Sequence, residues 1–192
     1  SMTGKTQLAF QLRKVKPLYF CLSEAKLSVK DTNRQAIYSN FTRLSTELSA
    51  CASLDWQKLR NAGRGLTSTE IRSCGFKFLT LGFLVKLIEE SRERPLDKEW
   101  MRFHGTRPGF VYQELSIDSL DPNIFEGFVL ILDEFSDCEE FNFIRNLACS
   151  IGLFCVVAST NTKVANLVGT STASATPAIS IWSHVIIHLD PA

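Results

Sequence analysis

Three stretches of this chain are apolar at every position, and a fold can hide such stretches in only a few ways. Leu18–Leu22, Phe128–Leu132 and Leu153–Ala158 have the length of strands but lack the polar alternation of a half-exposed strand. Strands of that kind belong in a sheet covered on both faces, as in parallel α/β architectures. A further apolar segment, His184–Leu189, reads as a last strand. The expectation is a three-layer α/β fold, with a mostly parallel sheet and helices on both faces.

The segments between these runs read as helix or loop. Lys5–Val15 places Leu8, Leu12 and Val15 on one helical face and is stopped by Pro17. Ile37, Phe41, Leu44, Leu48 and Cys51 form an amphipathic stripe, broken at Gly63-Arg64-Gly65. A second helix is predicted from Glu70 to about Arg92, capped by Ser68 or Thr69. Arg94 to Pro122, with three prolines and two glycines, reads as irregular surface loop. Asp137 and Glu140 form a capping-box pattern for a helix reaching about Ser150. Lys163–Val168 is a short helical candidate, and 169–178 a Ser/Thr/Ala-rich loop. The chain is thus one domain over 1–192, with a core at 1–24 and 127–190 and a helical insertion at about 26–126.

Composition narrows the function classes. Twenty-one basic and 20 acidic residues give a net charge of +1, which offers no broad electrostatic surface for nucleic acid. None of the six cysteines stands in a C-x-x-C spacing, so neither a zinc knuckle nor a redox pair is suggested. Cys21, Cys149 and Cys155 sit among apolar neighbours and read as small hydrophobes in a reducing, intracellular setting, cytoplasmic or nuclear. The apolar stretch Phe76–Ile88 is too short, and too interrupted by Lys77, Thr80 and Lys86, to span a bilayer.

Three motifs carry chemistry. Ser1-Met2-Thr3-Gly4-Lys5-Thr6 fits the last six residues of the phosphate-loop pattern G-x-x-x-x-G-K-S/T. The first glycine would fall two residues before Ser1, with a strand ahead of it. In such a loop backbone N–H groups and the helix N-terminus surround phosphates, the lysine adds charge, and the threonine hydroxyl ligates Mg²⁺. Alone, a G-K-T tripeptide is common and reads more readily as a polar coil leading into a helix. The second motif is Asp133-Glu134 at the end of the Phe128–Leu132 run. Strand C-termini face the ligand crevice of a parallel sheet, where Asp133 would support a metal and Glu134 polarise a water. Two acids in a solvated turn are the plain alternative. The third is Ser159-Thr160-Asn161-Thr162 after the next run, a polar strand tip with Asn161, then Thr160, as its candidate residue; turn chemistry accounts for it too. His184 and His188 share a strand face without a third ligand, and Arg102, His104 and Arg107 lie in a glycine-containing loop.

Together these residues resemble P-loop NTPases of the additional-strand type, the group that holds the AAA+ and STAND ATPases. In that group the phosphate-loop strand lies between the strand bearing the polar sensor and a final strand. Ser1–Gln7, Leu132–Ser136 and Ala158–Leu167 are also similar to the ATPase module of Crinkler-type effectors. The resemblance covers Ser1–Glu24 and Phe128–Leu189. It implies ATP and Mg²⁺ as cofactors, held by Ser1, Met2, Thr3, Gly4, Lys5 and Thr6, with Thr6 and Asp133 on the metal and Glu134 and Asn161 at the reacting water. Hydrolysis would serve as a conformational switch, acting on a protein partner or within a homo-oligomer. The effector likeness would place the protein inside a host cell. A different class stays open: a degenerate nucleotide-binding module whose work is protein interaction. The long interval between Lys5 and Asp133 and the want of an evident arginine finger depart from the family pattern.

Overall fold

The computed structural model describes Leu12, residues 14–22, 32–96, Gly109, 111–133 and 138–158, the side chains of 32–43 and Pro122 excepted. Its centre is a three-stranded parallel sheet. Strand β1 (Lys16–Cys21) pairs with β4 (Phe128–Asp133), and β4 pairs with β5 (Cys155–Val157). The order is β1-β4-β5, so β4 is central. Lys16 lies opposite Phe128 and Cys21 opposite Asp133. Pro17, which lacks a ladder donor, is tolerated because β1 is an edge strand among the described residues.

Alternation along the strands builds two apolar layers. Leu18, Phe20, Leu130 and Leu132 enter a large core with residues of all the described helices. Those helices are α1 (Thr32–Asn61), α2 (Ser68–Ser73), α3 (Leu79–Arg92) and α4 (Glu139–Ser150). Tyr19, Cys21, Val129 and Ile131 form the opposite layer, packed by Leu12, Val15 and Val156. Both faces of β4 are therefore buried, which is why its sequence shows no alternation. The α/β expectation stands, with every described helix on the first face. Leu12, Lys14 and Val15 are not helical, so the helix read over Lys5–Val15 does not extend through them.

Of the predicted stripe, Leu44, Leu48 and Cys51 lie in the buried seam of α1 with Ala52 and Leu59, while the side chains of Ile37 and Phe41 lie outside the described residues. The single helix read from Glu70 to Arg92 is corrected. The chain breaks at Gly75, whose φ of +68° lies in the left-handed region, and then forms β2 (Lys77–Phe78) before α3 begins. Thr67, not Ser68 or Thr69, caps α2, in a reciprocal capping box with Glu70. Strand β2 pairs antiparallel with β3 (Leu115–Ser116), so the interval read as loop contributes a strand, and short 3₁₀ turns follow at Ile117–Ser119 and Pro122–Phe125. The capping box read from Asp137 and Glu140 is not the cap of α4. Cys138 holds the cap position and its side chain makes no capping bond, while Asp137 lies outside the described residues.

Helix α3 is capped at both ends by side chains from elsewhere. Phe78 offers its N-terminus no side-chain cap. Asp55 of α1 instead accepts from the backbone N–H groups of Leu79 and Thr80 at 3.0 and 2.7 Å. At the other end the Lys16 ammonium donates to the carbonyls of Ser91 and Arg92. An acid at the N-terminus and a cation at the C-terminus both complement the helix dipole. The segment before β3 crosses this helix closely, and a Cβ on Gly82 would lie 1.8 Å from the Gln113 carbonyl oxygen. Gly→Ala inside a helix ordinarily stabilises by about 1 kcal/mol. Here Gly82→Ala is expected to cost about 2 kcal/mol or more in chemical denaturation, because overpacking against backbone outweighs propensity. A gain in stability would show that the 111–114 segment does not seat on α3.

Candidate functional site

Parallel strands deliver all their C-termini to one end of the sheet. Here β1, β4 and β5 run out together: Leu22 N–H donates to the Asp133 carbonyl, and Ala158 N–H to the Leu132 carbonyl, each at 2.8 Å. Asp133 thus stands at the C-terminal end of the central strand, flanked by both neighbours. Its side chain is 3% exposed and projects on the face that carries Tyr19 and Cys21.

The carboxylate does not lie in this apolar layer unsupported. The Tyr19 phenol donates to Asp133 Oδ2 at 2.5 Å, a separation proper to a charge-assisted O–H···O⁻ bond. Tyr19 is itself 2% exposed, so both polar groups are buried and each supplies a partner to the other. Sequence reasoning passed over Tyr19 as one more apolar residue of its run. The available signal was its hydroxyl, since a tyrosine in a fully buried strand needs a hydrogen-bond partner.

Of the residues assigned chemistry from sequence, Asp133 alone lies within the described structure. Ser1, Met2, Thr3, Gly4, Lys5, Thr6, Glu134, Thr160 and Asn161 lie outside the described residues, as do Arg102, His104, Arg107, His184 and His188. Glu134 directly follows Asp133, and Asn161 follows Ala158 by three positions. Among the described residues no group of three or more His, Cys, Asp or Glu converges, and no helix is long and apolar enough to cross a membrane.

Two other polar clusters stand apart from this end of the sheet. Tyr112, with its ring edge-on to Phe83 at 5.3 Å between centroids, donates to Glu47 and contacts Cys51 Sγ at 3.4 Å. Burial pushes the Cys51 thiol up to about 11, far from the range of a reactive thiolate. Burial likewise raises the Cys149 and Cys155 thiols, and all six cysteines are free. Asp55 is 1% exposed, and burial raises its carboxyl above the usual 3.8. Its two backbone partners make it a cap rather than a catalyst. The signal for it was an acid standing four residues from both Cys51 and Leu59 on an otherwise apolar stripe.

The chain matches no protein-family model, no curated protein and no solved structure.

Asp55→Ala is expected to destabilise the fold by about 2–3 kcal/mol, through a lost cap and two buried N–H groups left without an acceptor. Asp55→Asn, which keeps one acceptor, should cost less. Because its folded value is raised, the native state holds the Asp55 proton better than the unfolded chain. The stability it contributes is full below about pH 3.8 and falls as pH rises through the folded value. Urea unfolding of wild type and Asp55→Asn from pH 3 to 7 reads this as a difference that narrows with rising pH.

Proposed function

We propose that the chain is a P-loop NTPase-type domain that binds ATP with Mg²⁺ at the C-terminal end of its sheet and uses hydrolysis as a conformational switch. The observation that carries this reading is Asp133: a buried carboxylate at the end of the central parallel strand, where such a fold keeps its metal-supporting acid. The strand order lends support. In the additional-strand arrangement the phosphate-loop strand lies beyond the sensor strand, and among the described residues β5 pairs with β4 alone.

The donor chemistry suits Mg²⁺. Asp133 offers a hard carboxylate oxygen, the donor type that Mg²⁺ takes alongside its waters and the oxygens of phosphate. On this reading Gly4, Lys5 and Thr6 receive the phosphates, Thr6 and Asp133 meet the metal, and Glu134 and Asn161 orient the attacking water. The charged cofactor would supply electrophilic stabilisation of the transferred phosphoryl group. The residues would supply position.

The protein is expected to bind a fluorescent ATP analogue in a Mg²⁺-dependent manner. Glu134→Gln should abolish turnover and spare binding, whereas Asp133→Asn should weaken Mg²⁺-dependent binding by about tenfold or more. No binding at millimolar nucleotide would favour the other reading, a protein-interaction module without hydrolysis. Turnover retained in Glu134→Gln would remove that residue from the catalytic role.

A further inference from the structure

Beside Asp133 lies a group to which the proposed ATP site assigns no part. We propose that Tyr19 is the positioning residue of Asp133: its phenol O–H holds the carboxylate in one orientation and so makes the site favour Mg²⁺ over the larger Ca²⁺. This inference rests on the nucleotide-site reading above and adds to it a residue and a selectivity.

Tyr19 sits in β1 opposite Ile131, two residues back from Cys21, the register partner of Asp133. Its ring is packed in the layer of Cys21, Val129 and Ile131, with Leu12, Val15 and Val156 against it. Those contacts and the two strands leave the phenol little freedom, so the 2.5 Å bond to Asp133 Oδ2 is imposed by the sheet. A buried tyrosine could discharge its hydroxyl on a backbone carbonyl. This one meets the carboxylate of Asp133, the last residue of the central strand.

The consequence for a cation follows from coordination geometry. Carboxylates that ligate metals are commonly held by hydrogen bonds of their own, and losing such a bond costs about 10–100-fold in affinity. Mg²⁺ demands near-ideal octahedral geometry with short bonds, whereas Ca²⁺ accepts variable numbers and angles. A carboxylate fixed by Tyr19 therefore serves Mg²⁺ well, and one released to rotate loses Mg²⁺ first. If Tyr19 only satisfied a buried polar group, its loss would move both cations equally or neither.

Tyr19→Phe removes the hydroxyl and keeps the ring. Binding of a fluorescent ATP analogue would be followed against Mg²⁺ and against Ca²⁺ in wild type, Tyr19→Phe and Asp133→Asn, with melting curves to confirm folding. The Mg²⁺ concentration for half-maximal binding should rise about tenfold in Tyr19→Phe and the Ca²⁺ concentration by clearly less, narrowing the preference. Asp133→Asn should weaken both. A folded Tyr19→Phe with both midpoints unchanged, or shifted by the same factor, overturns the role of Tyr19 and leaves the ATP reading intact. Wild type without cation-dependent binding would sink the ATP reading, and this role with it. Should Tyr19→Phe not fold, the Tyr19 hydroxyl proton in wild type gives the answer by NMR. It is expected to shift when Mg²⁺ joins the ATP-bound chain, and a signal that stays put overturns the proposal.

Discussion

Everything described here depends on one strand being buried twice. Leu130 and Leu132 of β4 belong to the helix-covered core, Val129 and Ile131 to the opposite layer, and both edges of the strand are paired. Full burial of four such side chains is worth roughly 6–12 kcal/mol of transfer free energy, an upper bound that chain entropy offsets in large part. A strand held on all four sides has no freedom of register, because a one-residue slip would exchange the two layers. The position of Asp133 is a by-product of that constraint.

The same constraint explains what was legible in the amino-acid order. β1, β4 and β5 were marked by unbroken apolarity, and α1 by a stripe whose described members, Leu44, Leu48 and Cys51, are all buried. Asp133 was legible as a strand-end acid because local order alone places it there. Features decided between distant segments were not. Gly75 divides what reads as one helix because Phe78 is wanted opposite Leu115, a pairing across nearly forty residues that no window of periodicity contains. Asp55 takes its meaning from the N-terminus of α3, which lies against it. Tyr19 looked like bulk until its hydroxyl met Asp133.

Tyr19, Asp133 and Asp55 share a physical theme. Each is a polar group placed where burial would penalise it, and each is satisfied by a partner far away in the chain: 114 residues for Tyr19 and Asp133, and 24 and 25 for Asp55 with Leu79 and Thr80. Apolar burial would accept many arrangements of these helices, since it is non-directional. Directional bonds in a dry interior accept few, and a mispaired arrangement would leave a buried carboxylate without donors. The polar pairs thus select among packings that the apolar residues supply.

Helix α3 shows how far this selection reaches. Its two termini are satisfied by Asp55 and Lys16, which belong to α1 and β1. A segment of fourteen residues with borrowed ends is a poor autonomous helix, since short helices are marginal in water and this one lacks a side-chain N-cap of its own. Its ends are satisfied only where α1 and β1 have come together around it. The same bonds tie α1 and β1 to opposite ends of one helix, so neither can leave the core without exposing backbone groups of α3.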